Sequence, residues 1–568
     1  MGKFLMAEKL SLKLNKYKVC IFACCFVFVL AEAFCSGSSE KNKAKPVKVQ
    51  PVPYQDASKK SRDIENIKKQ MSAKPVVSLW LACLLNGTWQ DDAEVNAVYL
   101  EAQNAALKAY SKAVEEKDWV SAMRLYNSLA ACSISKVNEL PWSVQKIENE
   151  LAAAASLEGK KTQTVTKMSQ FIRGTVTVWV DLGFKIEGGA GYANKVLGSG
   201  FFIDSRGYIV TNHHVIENMV NPEYEGYSRL YVTLADDPEQ RIPGKVVGYD
   251  KMLDLALIKT EITPPYVFSL GSSQDLEVGD KIYAIGSPIG LDKTLTSGII
   301  SATERPLLAT TNVLQIDAAI NSGNSGGPLI APDGTVQGIV FAGMLDYEGL
   351  NFAIPVEFLR KILPRLYAGG KISHCWIGAY GKTKKDDYYQ DVGLEVLYLM
   401  PGSPAARAGV KAGEIIVALD GKRIKTLDEY QNELLNKIPD SLIAIDCVDK
   451  NGNLVRHVVY TQPRPEMPSN EVYQRDTIEN YFLPLFGMQL RTAGETLNKK
   501  NYYVERVIPN STAEENGFSS SDKIQITKFK VFKEENYAMA EIYAKRRKSG
   551  YIDIFIGVAT ALDSPSYF

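Results

Sequence analysis

The stretch Asn321-Ser322-Gly323-Asn324-Ser325-Gly326-Gly327-Pro328-Leu329 sets a serine among glycines. Glycine permits backbone conformations that a Cβ forbids, so such a loop can expose the Ser325 hydroxyl and aim the Gly323 and Ser325 amides at one spot. Two converging amides make an oxyanion hole for a tetrahedral acyl intermediate. A serine hydroxyl is a poor nucleophile alone and needs a base. The chain has four histidines, His213, His214, His374 and His457. Two of them lie in Thr211-Asn212-His213-His214-Val215, where the run GYIVTN passes into a predicted short helix. Asp254 opens the run DLALIK, an acid at the mouth of an otherwise apolar strand. A half-buried carboxylate there costs free energy unless a donor meets it, and an imidazole N–H suits. Each feature has a plain alternative: a tight turn, a helix cap, the end of a turn. Together, in this order, they predict acyl transfer through a nucleophile, a base and an orienting carboxylate.

From about Thr164 the apolar residues alternate in short runs, among them GTVTVWVDL, GSGFFID, RLYVTLA, GKVVGYD, KIYAIGSP, SGIISAT and VQGIVFAG. Gly, Asp, Pro and Asn punctuate them as antiparallel β-barrels require. The stretch closes on a helical run, VEFLRKILPRLY, and Gly369-Gly370, so residues 164–370 suffice for two small barrels. The chain order His, Asp, Ser matches the chymotrypsin arrangement and differs from the α/β-hydrolase and subtilisin orders.

Other segments differ in character. Lys3, Lys9, Lys13, Lys16 and Lys18 precede an apolar run from Val19 to Ala31 that ends in Ala31-Glu32-Ala33. The run falls short of the ~20 residues of a membrane span, so residues 1–33 read as a secretory signal peptide. An uncleaved anchor or a lipidated Cys35 is the alternative, either of which would tether the N-terminus to a membrane. Residues 34–75, rich in Lys, Ser and Pro, predict a flexible tether. Residues 76–160 turn rich in Ala, Leu, Glu and Lys and predict a helical domain, with Asp91 or Asp92 as a cap. Its hairpin about Glu116-Lys117-Asp118-Trp119 resembles a tetratricopeptide-type unit; a plain helical spacer fits equally. Toward the end, Pro401, Ser403, Ala405, Gly409 and Ile416 return as Pro509, Ser511, Ala513, Gly517 and Ile524 at one constant offset, which predicts two copies of one module.

The 568 residues exceed one core and suggest three or four folding units. With 65 basic and 65 acidic residues there is no basic field to argue for nucleic acid. Eight cysteines without CxxC spacing argue against a zinc ribbon, and five widely spaced ones after Ala33 argue against an obligatory disulfide framework. No phosphate-cradling loop and no ligand-spaced cluster is found, so neither cofactor nor metal is predicted.

The motifs GSGFFID, GYIVTNHHV, DLALIK, GSPIGL and DAAINSGNSGGPL resemble the HtrA (Deg) family of exported serine proteases. The similarity covers roughly residues 165–465 well and 480–560 loosely. It implies an all-β chymotrypsin-like double barrel followed by two PDZ-like α+β domains, here 374–465 and a degenerate 480–562. Carried over, His214, which directly precedes Val215, is the general base; Asp254 orients it; Ser325 attacks. It further implies a shallow apolar pocket around Ile320–Gly323 and Ile339–Ala342, activation when loops such as Gly286–Leu291 order, and a homotrimer. Trp376-Ile377-Gly378-Ala379 would be the peptide-binding loop of the first module, and Leu485-Phe486-Gly487-Met488 that of the second, where Ser521 replaces Gly413.

The reading is therefore a periplasmic or cell-envelope serine endopeptidase acting on unfolded proteins or peptides. A non-catalytic chaperone or adaptor that binds exposed C-termini, and a processing protease with one dedicated substrate, are the alternatives.

Overall fold

The structure is a computed structural model and describes residues 57–154 and 168–568, except 90–91, 133, 135–136, 138–139, 188–189, 287–293, 306, 309–310, 322, 344–349, 497–498 and 547–551. The signal-peptide segment and most of the tether lie outside the described residues. The rest of the tether is not one: Ala57–Gln70 is a helix whose Ile64 and Ile67 are buried against Ala82, Leu85 and Val95. Lysine-rich composition masked that apolar pair one turn apart. Helices Pro75–Thr88, Ala93–Glu115, Trp119–Ala131 and Val144–Ala154 follow. Asp92 caps the longest, accepting from the Glu94 and Val95 amides, and Asp118 caps the next through Ser121. Each cap satisfies donors that a helix start leaves open.

Among the described residues no helix is long and apolar enough to cross a membrane. These helices are more than a spacer. Their core, with Leu79, Tyr110 and Leu129, is continuous with Ile438, Leu442 and Ala444 of the first PDZ-like module. Trp80 Nε1 donates to the Val458 carbonyl at 3.0 Å, Arg124 Nε to that of Pro439 at 3.1 Å, and the Leu442 amide to Ser128 Oγ at 3.0 Å.

Twelve strands follow: β1 (Thr175–Glu187), β2 (Ala190–Phe202), β3 (Tyr208–Thr211), β4 (Arg229–Thr233), β5 (Ile242–Asp250), β6 (Leu255–Thr260), β7 (Lys281–Gly286), β8 (Thr294–Arg305), β9 (Val313–Ile316), β10 (Pro328–Ile330), β11 (Val336–Gly343) and β12 (Asn351–Pro355). The order β5-β4-β1-β2-β3-β6, closed by β5 pairing with β6, makes one barrel. The order β10-β11-β12-β9-β8-β7 makes a second closed barrel. Helix Val356–Ala368 packs Leu359, Ile362 and Leu366 against Phe201, Leu255 and Leu257. Gly248 is required there, since a Cβ would lie 2.4 Å from the Leu366 carbonyl oxygen.

The first PDZ-like module is a six-stranded sheet whose path runs Ala379–Lys385, Asp391–Leu399, Ile415–Leu419, Leu442–Val448, Leu454–Tyr460, with the short Lys422–Arg423 paired to Ile415–Leu419 off that path and helix Leu427–Leu434 beside it. Residues 465–564 form a separate compact unit with a five-stranded sheet of its own, starting at Met488–Thr496. The repeat read from sequence recurs in hydrogen bonds. Ser403 caps Pro404–Arg407 as Ser511 caps Thr512–Glu515. The Gly413 amide donates to Val396 as the Ser521 amide donates to Val504, both at 2.7 Å. Ser521 takes the left-handed φ of +74° where Gly413 has +90°. The second copy departs where Lys523–Phe532 runs straight on into the hairpin partner Tyr537–Arg546. No counterpart of helix Leu427–Leu434 lies between them. The expected loop Leu485–Met488 matches the first at its glycine, since Gly487 is left-handed and a Cβ on it would strike Ser511 as one on Gly378 would strike Ser403, but here Leu485 and Phe486 end helix Ile478–Phe486 before Met488 begins a strand.

Candidate active site

β3 ends at Thr211, and helix His213–Val220 begins two residues later. The buried Asn212 does not spend its side chain on capping that helix; Nδ2 donates to the Asp254 carbonyl at 2.8 Å. Asp254 adopts a φ of +54°, a conformation that costs free energy and that a short polar side chain tolerates best. So held, its carboxylate accepts twice from one residue: Oδ2 faces His214 Nδ1 at 2.7 Å and Oδ1 takes the His214 amide at 2.8 Å. Of the two adjacent histidines, His214 is the one paired with Asp254. His213 turns inward and stacks on Tyr249 with ring centroids 5.3 Å apart. Burial lowers the His213 pKa below 6.5, only partly opposed by the Asp254 charge. Burial also pulls on His214, but the Asp254 charge and hydrogen bond, with the Glu217 charge, outweigh it and raise its pKa above 6.5.

The Ser325 loop lies against this junction. The Ser199 amide donates to the Ser325 carbonyl at 2.7 Å, and Ser199 Oγ to the Gly323 carbonyl at 2.6 Å. Thr211 Oγ1 in turn donates to the Ser199 carbonyl at 2.7 Å. A Cβ on Gly326 would meet Thr211 Oγ1 at 2.4 Å and the Asn212 amide nitrogen at 3.1 Å, so the loop sits two residues from His214. Among the described residues no acceptor faces the amides of Gly323 or Ser325. Ser325 Oγ does not donate to His214; it points to the Phe341 carbonyl of β11 at a long 3.4 Å. The loop Gly286–Leu291 lies, beyond Gly286, outside the described residues.

Three contributors escaped the motif reading. Ser199 stands inside GSGFFID, where it reads as one more strand residue. Asp250 is fully buried and accepts the Met252 and Leu253 amides, both at 3.0 Å, so it shapes the turn that delivers Asp254. His374 is not on a strand; its Nε2 lies 2.6 Å from Asp250 Oδ2, in the link to the first PDZ-like module. Burial alone would raise the Asp250 pKa, yet the His374 charge and hydrogen bond, the Leu253 amide and the Arg365 charge bring it below the usual carboxylate range.

The four residues Trp376–Ala379 lead from the short strand Cys375–Trp376 into the edge strand Ala379–Lys385. Gly378 has a φ of +75°, and a Cβ there would strike Ser403 Cβ. Sequence spacing predicted no metal-type cluster, but sheet pairing brings ligand-type atoms of Glu414, Cys447 and His457 within 4.8 Å of one another. There His457 Nε2 pairs with Glu414 Oε2 at 2.9 Å and Nδ1 faces the Ala408 carbonyl at 3.2 Å.

Family profiles match four stretches: a domain of unknown function over residues 57–151, a trypsin-like peptidase domain over 198–339, a PDZ domain over 395–443, and a TP0546 family PDZ domain over 469–562. A Chlamydia pneumoniae protein described as a probable periplasmic serine endoprotease DegP-like is 34% identical over 342 residues, 58% of this chain and 67% of the relative. A likewise described Marinomonas protein is 33% identical over 343 residues, 58% of this chain and 70% of the relative. One from Chlamydia trachomatis is 33% identical over 281 residues, 47% of this chain and 54% of the relative. The chain thus spans between about half and about two thirds of these relatives' lengths. Among solved structures, an HtrA-type protease AlgW with tripeptide is 26% identical at a TM-score of 0.45, covering 53% of this chain and 98% of the other.

Proposed function

The chain belongs to the DegP-like (HtrA) family of serine endoproteases with C-terminal PDZ domains, and from that premise we propose that it cleaves unfolded exported proteins with Ser325 as nucleophile. His214 takes the Ser325 proton on Nε2 while Nδ1–H stays on Asp254. The tetrahedral oxyanion is held by the amides of Gly323 and Ser325, each worth ~3–4 kcal/mol in the transition state. His214 then returns the proton to the leaving amine, and water releases the acyl group by the same relay. The observation that carries this reading is the 2.7 Å His214–Asp254 contact beside a serine loop whose two amides face no acceptor among the described residues.

The 3.4 Å contact of Ser325 Oγ with Phe341 supports a resting form in which a side-chain rotation precedes attack. Catalytic hydrogen bonds of apo enzymes commonly tighten only with substrate. The pocket before the cut is bounded by Ile320–Gly323 and Ile339–Ala342 and favours small apolar side chains. Trp376–Ala379 form the peptide-binding loop of the first PDZ domain. An exported, periplasmic setting follows from the relatives' descriptions and the N-terminal segment. Assembly into a homotrimer is supported by Phe184 and Ile186 on the β1–β2 hairpin, 86% and 82% exposed, apolar area that a second copy would cover.

Casein digestion by the wild type and S325A, with fluorophosphonate labelling of both, tests the proposal. Cleavage and labelling by the wild type alone support it. Equal cleavage by both removes Ser325 from the chemistry and leaves the adaptor reading.

A further inference from the structure

The edge strand Ala379–Lys385 has a partner that the repeat analysis did not anticipate. Residues 565–568 leave the unit formed by 465–564 and belong to the other compact unit. The Ala379 amide donates to the Phe568 main-chain oxygen at 2.9 Å, the Phe568 amide returns a bond to the Ala379 carbonyl at 3.0 Å, and the Gly381 amide donates to the Ser566 carbonyl at 3.0 Å. Tyr380 and Tyr567 are thereby antiparallel partners, with their rings 5.2 Å apart. On the other side, helix Leu427–Leu434 supplies Gln431, whose Nε2 donates to the Pro565 carbonyl at 2.9 Å and the Tyr567 carbonyl at 3.3 Å. Phe568 is fully buried, in the same core as Ile377, Leu394 and Leu434, with its ring 5.1 Å from that of Tyr430.

An extended segment added to a sheet edge, with one side chain sunk between strand and helix, is how such a module holds a peptide. We propose that residues 565–568 are a resident, displaceable ligand of the first PDZ domain, so that the groove is closed to other peptides until this tail is driven out. The proposal rests on the peptide-binding reading of Trp376–Ala379. It adds that the occupant is the chain itself and that any competitor must present an aromatic side chain at the Phe568 position. Among the described residues the second repeat has no counterpart of the Leu427–Leu434 helix between Lys523–Phe532 and Tyr537–Arg546, and so no cleft of this kind.

A tethered ligand at millimolar effective concentration weakens a free competitor by about tenfold or more. The test is fluorescence anisotropy with labelled Asp-Ser-Pro-Ser-Tyr-Phe on the full chain and on a chain lacking 565–568. At least tenfold tighter binding to the shortened chain is expected, and none of a peptide with Asp in place of the Phe. Equal affinity for both chains overturns self-occupancy and leaves peptide binding intact; binding to neither overturns the peptide-binding reading itself. Because Phe568 fills part of a core, melting is followed as well. Free peptide should raise the melting temperature of the shortened chain and leave that of the full chain unmoved at the same concentration. No rise in the shortened chain overturns the proposal.

Discussion

Replacing Asp254 by Asn changes one atom and should disable the centre. Both carboxylate oxygens accept from His214, Oδ2 from Nδ1 and Oδ1 from the backbone amide. An amide has one acceptor, so D254N must leave one donor unmet or present an N–H to Nδ1. The second outcome forces the proton onto Nε2, where it can no longer accept from Ser325. The cost of that wrong tautomer is about 10⁴-fold in kcat, or ~5.5 kcal/mol of barrier. The pH profile gives an independent sign. His214 works as a neutral base and its pKa is raised above 6.5, so activity falls as pH drops through that raised value. Without the carboxylate the burial effect is left unopposed by it, and the acid limb should move below that of the wild type. The corresponding stabilisation of the protonated ring is present below the unfolded value near 6.5 and lost as pH rises through the raised one. The assay is kcat/KM on a fluorogenic peptide across about pH 5 to 9, with circular dichroism to verify folding. A D254N enzyme within tenfold of wild type and with an unmoved acid limb would refute the orienting role.

S199A removes the hydroxyl that holds the buried Gly323 carbonyl, an unmet acceptor worth about 1–3 kcal/mol; kcat should fall with KM little changed, and an unaltered kcat would sink the positioning argument. H374A takes the partner from Oδ2 of the fully buried Asp250, whose Oδ1 keeps the Met252 and Leu253 amides, and urea unfolding should register a loss of about 3–5 kcal/mol. Asp250, with its lowered pKa, stabilises the fold above its unfolded value near 3.9 and loses that contribution as pH falls through the lowered one; D250N should flatten the acid dependence of melting. Cys83 and Cys132 are free thiols in the same helical core, and their interaction lowers the Cys83 pKa and raises that of Cys132, so mild oxidation should join helix Pro75–Thr88 to the residue that caps helix Trp119–Ala131, giving one cross-linked tryptic pair absent in C83S. A bridge closing that loop would add about 3–5 kcal/mol.

Much of this was legible because local chemistry constrains it. Glycines about Ser325, the His-Val pair after TNH and the acid before LALIK are short-range demands of backbone conformation and burial. The same holds for the cap at Asp92 and for the repeat, whose capping serines and left-handed turns recur with the same partners. The family resemblance, carried on those motifs, supplied the double barrel and the PDZ modules. Tertiary structure alone decided which distant groups meet. Only the tertiary fold puts Asp250 against His374 and Glu414 against Cys447 and His457, since partners separated by tens of residues leave no periodic trace. Only packing turned residues 57–70 from an expected tether into a helix and fused the helical core to the first PDZ domain. The open link between Ser325 and His214 is likewise a matter of rotamer, which no sequence encodes by type. And the edge strand Ala379–Lys385 offers main-chain bonds to any extended segment. That segment 565–568 takes them rests on a folded chain bringing a Phe to one buried cleft, a fact of geometry with no sequence signature.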